Sequence, residues 1–211
     1  MPEERRRYTQ TRRAEAAAET RQRIIEATRA ALTEGALRSV SLDEIAKRAG
    51  VARSTLHLIF GSRKDLMTAV ALDALDRGGV ESLRRAFAQR DARKALLDSF
   101  RTSTAMYTRE FAVSNALLSL AATDGDAAEA AKLLDASRRD GMHTIARRLD
   151  EQGYLGKGVS RDAAAEMLWV LTSIETFGML YKGWGMESQQ ATLRLTDMAQ
   201  RSLGIPFKSA D

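Results

Sequence analysis

The sequence predicts an all-α protein, and three observations carry that expectation. Its two prolines, Pro2 and Pro206, stand near the ends of the 211 residues, so the interior lacks the residue that most strongly breaks helices. Ala and Leu, both strong helix formers, are abundant. Apolar residues also recur at helical spacing, with breaks near Gly78–Gly79, Asp124–Gly125, Gly153–Gly158 and Gly183–Gly185.

A chain of this length can form one or two domains and bury a sizeable core. The absence of cysteine excludes disulfides, thiolate nucleophiles and cysteine-based metal sites. No apolar run approaches ~18 residues, and the charged N-terminus is not followed by an apolar stretch. A soluble cytoplasmic protein without a membrane partner is therefore expected.

Residues 41–60, SLDEIAKRAGVARSTLHLIF, are the most informative stretch. Ser41 and Glu44 have the spacing of a capping box, in which hydroxyl and carboxylate satisfy each other's orphan backbone N–H groups. Leu42, Ile45, Ala46 and Ala49 then line one face of a helix, with small Ala46 permitting close approach of a neighbour. Gly50 suits the positive φ that ends a helix and turns the chain. Val51 can pack in the turn, and Leu56 and Phe60 give the second helix an inward face. The pattern is a helix-turn-helix, which offers its second helix to the DNA major groove. Arg53, Ser54, Thr55 and His57 stand near the start of that helix, where base-edge readers sit. The competing reading is an ordinary αα-hairpin with a satisfied cap.

Charge favours the DNA-binding reading. The chain carries 33 Lys+Arg and 28 Asp+Glu; 14 and 9 of these occur through Leu66, and 19 of each remain beyond it. All the excess positive charge thus lies in the segment holding the helix-turn-helix, as phosphate binding and counterion release would require. Arg5, Arg6, Arg7, Arg12 and Arg13 form a basic arm ahead of the first long helix. It reads equally as a solvated tail or as a DNA-contacting arm that orders on the duplex.

The run RIIEATRAALTEGALRSVSLDEIAKRAGVARSTLHLIFGSRKDLMTAV, residues 23–70, resembles the N-terminal domain of the tetracycline-repressor (TetR) family. The resemblance rests on a helix ending in a Gly, a capped helix, the A-G-V turn, T-L before an aromatic, and F-G-S-R-K-D-L opening a fourth helix. It implies a three-helix DNA-binding domain followed by a C-terminal helical ligand-binding and dimerisation domain. It further implies a homodimeric regulator, usually a repressor released from operator DNA by a small ligand. The expected organisation is a basic arm at 1–19, the DNA-binding domain at 20–66, the ligand-binding and dimerisation domain at 67–205, and a tail at 206–211.

Several positions depart from the family pattern. Ala52 stands where a Ser often caps the recognition helix, and losing such a cap costs about 1 kcal/mol. His57, Leu58 and Ile59 occupy positions where the family commonly has Tyr, then often His and Tyr. His57 can still donate to a phosphate. Leu58 and Ile59 cannot hydrogen-bond; core packing is expected of Leu58, although an exposed Leu58 could touch a thymine methyl. Arg63 stands where the family places a phosphate-contacting Lys, a role that guanidinium serves well. Ser62 and Asp65 are expected to cap the fourth helix. The expected DNA contacts are Arg53, Ser54, Thr55, His57, Arg63 and Ser41.

In the body, Leu96, Phe100, Thr104, Tyr107 and Phe111 share a helical stripe that reads as core. The Thr104 and Tyr107 hydroxyls need partners there, and an apolar ligand pocket would supply them. Ser137 and Gly141 interrupt the stripe Ala130, Leu134, Ile145, Leu149, which leaves either a cavity opposite Tyr107 or room for tight packing. His143 falls on the polar face of that helix and reads as surface. Candidate ligand contacts are Thr104, Tyr107, Phe111, Ser137 and Glu175, for an unknown small and possibly hydrophobic effector.

The segment 161–184 is apolar nearly all round, as expected for a helix buried on one side by its own core and on the other by a second subunit. A final helix at about 188–203 presents small residues suited to close approach. The candidate dimer interface is Trp169, Leu171, Gly178, Leu195, Met198 and Ser202. A central core helix in a monomer is the competing reading. Glu175 could bind a ligand or pair across a dimer.

No Gly-rich phosphate loop, H-E-x-x-H or G-x-S-x-G element occurs, and the two histidines are assigned elsewhere, so neither an enzyme nor a cofactor or metal is expected. The alternative function is a ligand-independent DNA-binding protein or constitutive repressor with a filled C-terminal core.

Overall fold

The computed structural model describes residues 2–34 and 41–205, with side chains from Thr11 onward except that of Arg13. Among these residues there are ten α-helices, one π-helical turn and no strand, so the all-α expectation holds. The chain divides into two compact units, Met1–Asp73 with Ala116–Ala131, and Ala74–Asn115 with Lys132–Asp211. Among the described residues, no single helix is long and apolar enough to cross a membrane.

The first unit contains α1 (Pro2–Thr33), α2 (Leu42–Ala49), α3 (Arg53–Phe60) and the opening turns of α4 (Arg63–Gly78). Residues 2–19, expected as an arm ahead of the first helix, instead continue it. Pro2 lies at the first helical position, where its missing N–H is harmless, and the Ala-, Glu- and Arg-rich run behind it contains no breaker. The side chains of Arg5, Arg6, Arg7 and Arg13 lie outside the described residues, as does Gly35. From Ile24 onward α1 acquires an inward face of Ile24, Ile25, Thr28, Ala31 and Leu32. With Ile45, Leu56, Leu66, Met67 and Val70, all at most 1% exposed, they form the core of this unit. Each of the Ile, Leu, Met and Val side chains contributes roughly 1.5–3 kcal/mol on burial.

The second unit contains the rest of α4, α5 (Val80–Phe87), most of α6 (Ala92–Ala121) and α7 (Gly125–Glu151), then α8 (Arg161–Leu171), α9 (Ile174–Gly178), a π-turn at Met179–Gly183 and α10 (Ser188–Ser202). Its core gathers Leu96, Phe100, Ile145, Leu149, Leu168, Phe177 and Leu195. Segment 161–184 is not one helix: it bends by 46° between Arg161–Leu171 and Ile174–Gly183. Hydroxyl side chains explain the break, because they compete with the helical ladder. Ser173 is extended and caps α9 by accepting from the Thr176 N–H, while Thr176 Oγ1 donates back to the Val170 carbonyl.

Close backbone approach anchors the end of α10. The Gly156 N–H donates to the Leu203 carbonyl at 2.8 Å. A Cβ added to Gly156 would lie 2.8 Å from the Gly204 Cα, so only glycine fits this crossing.

Candidate DNA interface

The helix-turn-helix is built by the devices its sequence implies. Ser41 Oγ accepts from the Glu44 N–H at 3.2 Å, while the Glu44 carboxylate takes the Arg48 Nε at 2.9 Å. The hydroxyl half of the capping box is therefore made, and the carboxylate half is redirected to a neighbouring cation. Gly50 takes φ 65°, and the Val51 N–H reaches back to the Ala46 carbonyl, closing α2 and turning the chain. Ala46 is buried. Ala52 caps α3 with no side-chain hydrogen bond.

On α3, Leu56 and Phe60 face inward, and the Arg21 guanidinium lies over the Phe60 ring. Arg53, Ser54 and His57 are exposed, and Thr55 and Ile59 are half-buried. Core packing of Leu58 is overturned: the side chain is 85% exposed. The reason is geometric, because two residues advance a helix by about 200°, so Leu58 lies opposite the anchor Leu56.

Two candidate phosphate or base contacts are already engaged by acids. Arg53 Nη1 donates to both Asp43 carboxylate oxygens, at 3.1 and 2.9 Å, in an exposed pair. Arg63, at the start of α4, donates to Asp124 at 2.7 Å and Asp126 at 3.2 Å within the same unit. Partial desolvation of Arg63 is outweighed by these carboxylates, which hold its guanidinium above the ordinary value. Reciprocally, the Arg63 hydrogen bond, opposed by burial and helped by the Ala127 N–H, holds the Asp124 carboxyl below its usual range. Sequence reading missed this clamp because 61 residues separate Arg63 from Asp124. Ser62 and Asp65 cap α4 through the Ser62 Oγ and the Asp65 N–H.

The residues expected at a ligand pocket are partly packed together and partly exposed. Tyr107 donates its hydroxyl to the Thr172 carbonyl at 2.9 Å, and burial pushes its pKa up to about 12. Thr104 Oγ1 donates to the Phe100 carbonyl and accepts from Thr192 Oγ1 at 2.7 Å. Phe111 packs edge-on to Phe177 and Tyr181, and closely against Gly178. Ser137 and Glu175 are exposed. Gly141 abuts the Phe87 ring, which favours the tight-packing reading of that position. His143 is exposed. Among the described residues, no buried side-chain nitrogen or oxygen lacks a partner.

The candidate interface residues divide between inside and outside. Leu171 and Leu195 belong to the core of their own unit, and Gly178 is half-buried beneath Phe111. Trp169, on α8, packs against α7: its indole N–H donates to Asp135 at 2.9 Å, and the guanidinium groups of Arg138 and Arg139 lie over its ring. Met198 and Ser202 are exposed, with Val170, Met179, Trp184 and Leu193, which the sequence did not single out as exposed. Two open grooves border these residues. One, of about 480 Å³, is lined by Met186, Gln190, Leu193, Arg194 and Asp197; the other, of about 350 Å³, by Glu166, Met167, Val170, Leu171 and Ser202.

A helix-turn-helix with an exposed second helix, heading an otherwise helical chain, defines a DNA-binding transcriptional regulator. Residues 24–70 match the family described as bacterial regulatory proteins, tetR family. The fold is shared with NalD of Pseudomonas aeruginosa, the secondary repressor of the MexAB-OprM multidrug efflux pump, at 18% identity and a TM-score of 0.71, over 88% of this chain and 97% of that one. It is shared with SmeT in complex with triclosan, a Stenotrophomonas maltophilia repressor, at 22% and 0.67, over 87% and 91%. PfmR of Thermus thermophilus is similar at 18% and 0.62, over 89% and 97%. At these identities the likeness is one of fold. No curated protein matches the chain in sequence.

Proposed function

We propose that the protein is a homodimeric repressor that places two copies of α3 in successive major grooves of a near-palindromic operator. The observation that carries this reading is the two-sidedness of α3: Leu56 and Phe60 hold it to the unit, while Ser54 and His57 stand in solvent. Ser54 and His57 supply contacts from the exposed face, with Thr55 and the Ser41 hydroxyl at its border. Arg53 and Arg63 contribute positive charge to the backbone, each in competition with the carboxylates that hold it. The two heads must then lie about 34–36 Å apart, or a near multiple.

Pairing uses α8 and α10, where Val170, Leu193, Met198 and Ser202 offer outward positions; Leu171 and Leu195 shape that surface from beneath. Sedimentation of the full chain should give a dimer at micromolar concentration, and a monomer there would reject the two-fold mechanism. Footprinting should protect two half-sites related by a dyad.

Release by a small apolar effector in the C-terminal unit completes the reading, supported by the triclosan complex of SmeT on the same fold. One observation favours a ligand-independent repressor instead: the Tyr107 and Thr104 hydroxyls already have partners inside the chain. Operator affinity measured against a panel of apolar compounds, triclosan included, separates the two. Weakening by any member supports release, and constant affinity across the panel supports the ligand-independent reading.

A further inference from the structure

We infer that Leu58 reads the C5-methyl group of a thymine in each half-site, making it a specificity-determining residue of α3. The inference rests on the DNA-binding reading and extends it to a base identity. Ser54, His57 and Leu58 fall at i, i+3 and i+4 on the exposed face of α3, and Leu58 is 85% exposed. The Leu58 side chain therefore projects from the same face as the two polar candidates and has no role in holding the unit together.

The chemistry of the major groove then restricts what can lie opposite it. A guanine edge offers acceptors, a cytosine edge a donor, and an adenine edge one of each; thymine adds a methyl group to its acceptor. An isobutyl side chain can neither donate nor accept. Pressed against a guanine, cytosine or adenine edge, it would strip water from polar groups and return no hydrogen bond, which is unfavourable. Against a thymine methyl it buries apolar surface on both sides. The nearby guanidinium of Arg53 does not change this balance, because both Asp43 oxygens hold it.

The test uses the full-length chain and duplexes it enriches from a randomised pool. In the enriched site, each thymine is replaced in turn by deoxyuridine, which removes only the methyl group. The wild-type protein should show one sensitive thymine per half-site, with an affinity loss of about 3- to 10-fold, the scale of one buried methyl. Leu58→Ala should bind the unmodified site more weakly and lose that sensitivity, while its thermal unfolding stays unchanged because the side chain is exposed. Wild-type insensitivity to uracil at every thymine would overturn the inference and leave DNA binding intact. Equal uracil sensitivity in Leu58→Ala would also overturn it. Failure to enrich any sequence would overturn the specific DNA-binding reading itself, and the methyl readout with it.

Discussion

Arg63 at the start of α4 and Asp124 ahead of α7 are bound at 2.7 Å, and the same Asp124 also accepts from the Ala127 N–H at 3.0 Å. One carboxylate thus holds a candidate phosphate contact and caps a helix. Asp124→Asn keeps an oxygen for the cap and removes the charge. Folding stability should fall by about 1.5–3 kcal/mol, the range for a hydrogen bond to a charged group. DNA affinity should rise, because Arg63 is released from one of its two competitors. Denaturant unfolding and salt-dependent DNA titration measure the two effects. A parallel fall in both would show that Arg63 contributes to DNA binding only while clamped.

The clamp also gives a pH dependence. Asp124 is held below the usual carboxylate range, chiefly by Arg63. The unfolded carboxyl therefore binds its proton first as pH falls. The stabilisation is present above the ordinary carboxylate pKa and is lost as pH falls through the lowered value. Acid unfolding of wild type and Asp124→Asn should converge in that window.

Ala52 provides a position for gain. It has the extended conformation of a cap, φ −71° and ψ 149°, without a side-chain acceptor. Ala52→Ser should raise stability by about 0.5–2 kcal/mol, read as a higher midpoint in urea. Unchanged stability would place the Ser hydroxyl in solvent instead of on the Thr55 N–H.

Tyr107 should titrate late. Desolvation pushes its phenol up to about 12 from 10, although part of the ring keeps some exposure. The unfolded phenol ionises first, so its stabilisation is present below pH 10 and is lost as pH rises through about 12. Tyr107→Phe should remove that alkaline loss and cost about 1 kcal/mol at neutral pH for the bond to Thr172. Tyrosinate absorbance and thermal unfolding at alkaline pH check both parts.

Two glycines should behave oppositely when changed to alanine. At Gly156 the new methyl meets Gly204 backbone at 2.8 Å, and nothing flexible can yield. Gly156→Ala should destabilise by about 1–3 kcal/mol or more. At Gly125, the first residue of α7, nothing lies within 4 Å. Gly125→Ala should stabilise by about 0.4–1 kcal/mol through the unfolded chain. Calorimetry of the two variants should give shifts of opposite sign.

Local patterns made much of the head legible. Ser41, Gly50, Leu56 and Phe60 act through neighbours within a few residues, so capping, turning and helix-face arguments reach them. Helices α6 and α7 were legible for the same reason. The break at Thr172–Ser173 was not, because an apolar run masks the competition of hydroxyls with the helical ladder. The ligand-site set fared differently again. A hydroxyl on an apolar stripe signals that a partner is needed, but it does not say whether that partner is a ligand or, as for Tyr107, a carbonyl 65 residues away.

By itself the sequence determined that the chain is helical, that its excess positive charge lies in the first 66 residues, and that residues 41–60 form a helix-turn-helix. Those properties follow from propensity, composition and spacing, which act locally or simply add. Only the tertiary structure decided that Leu58 stands in solvent, that Arg63 is clamped by Asp124 and Asp126, and that Trp169 is covered by Arg138 and Arg139. Each of those depends on which helix faces are covered and which distant charges meet.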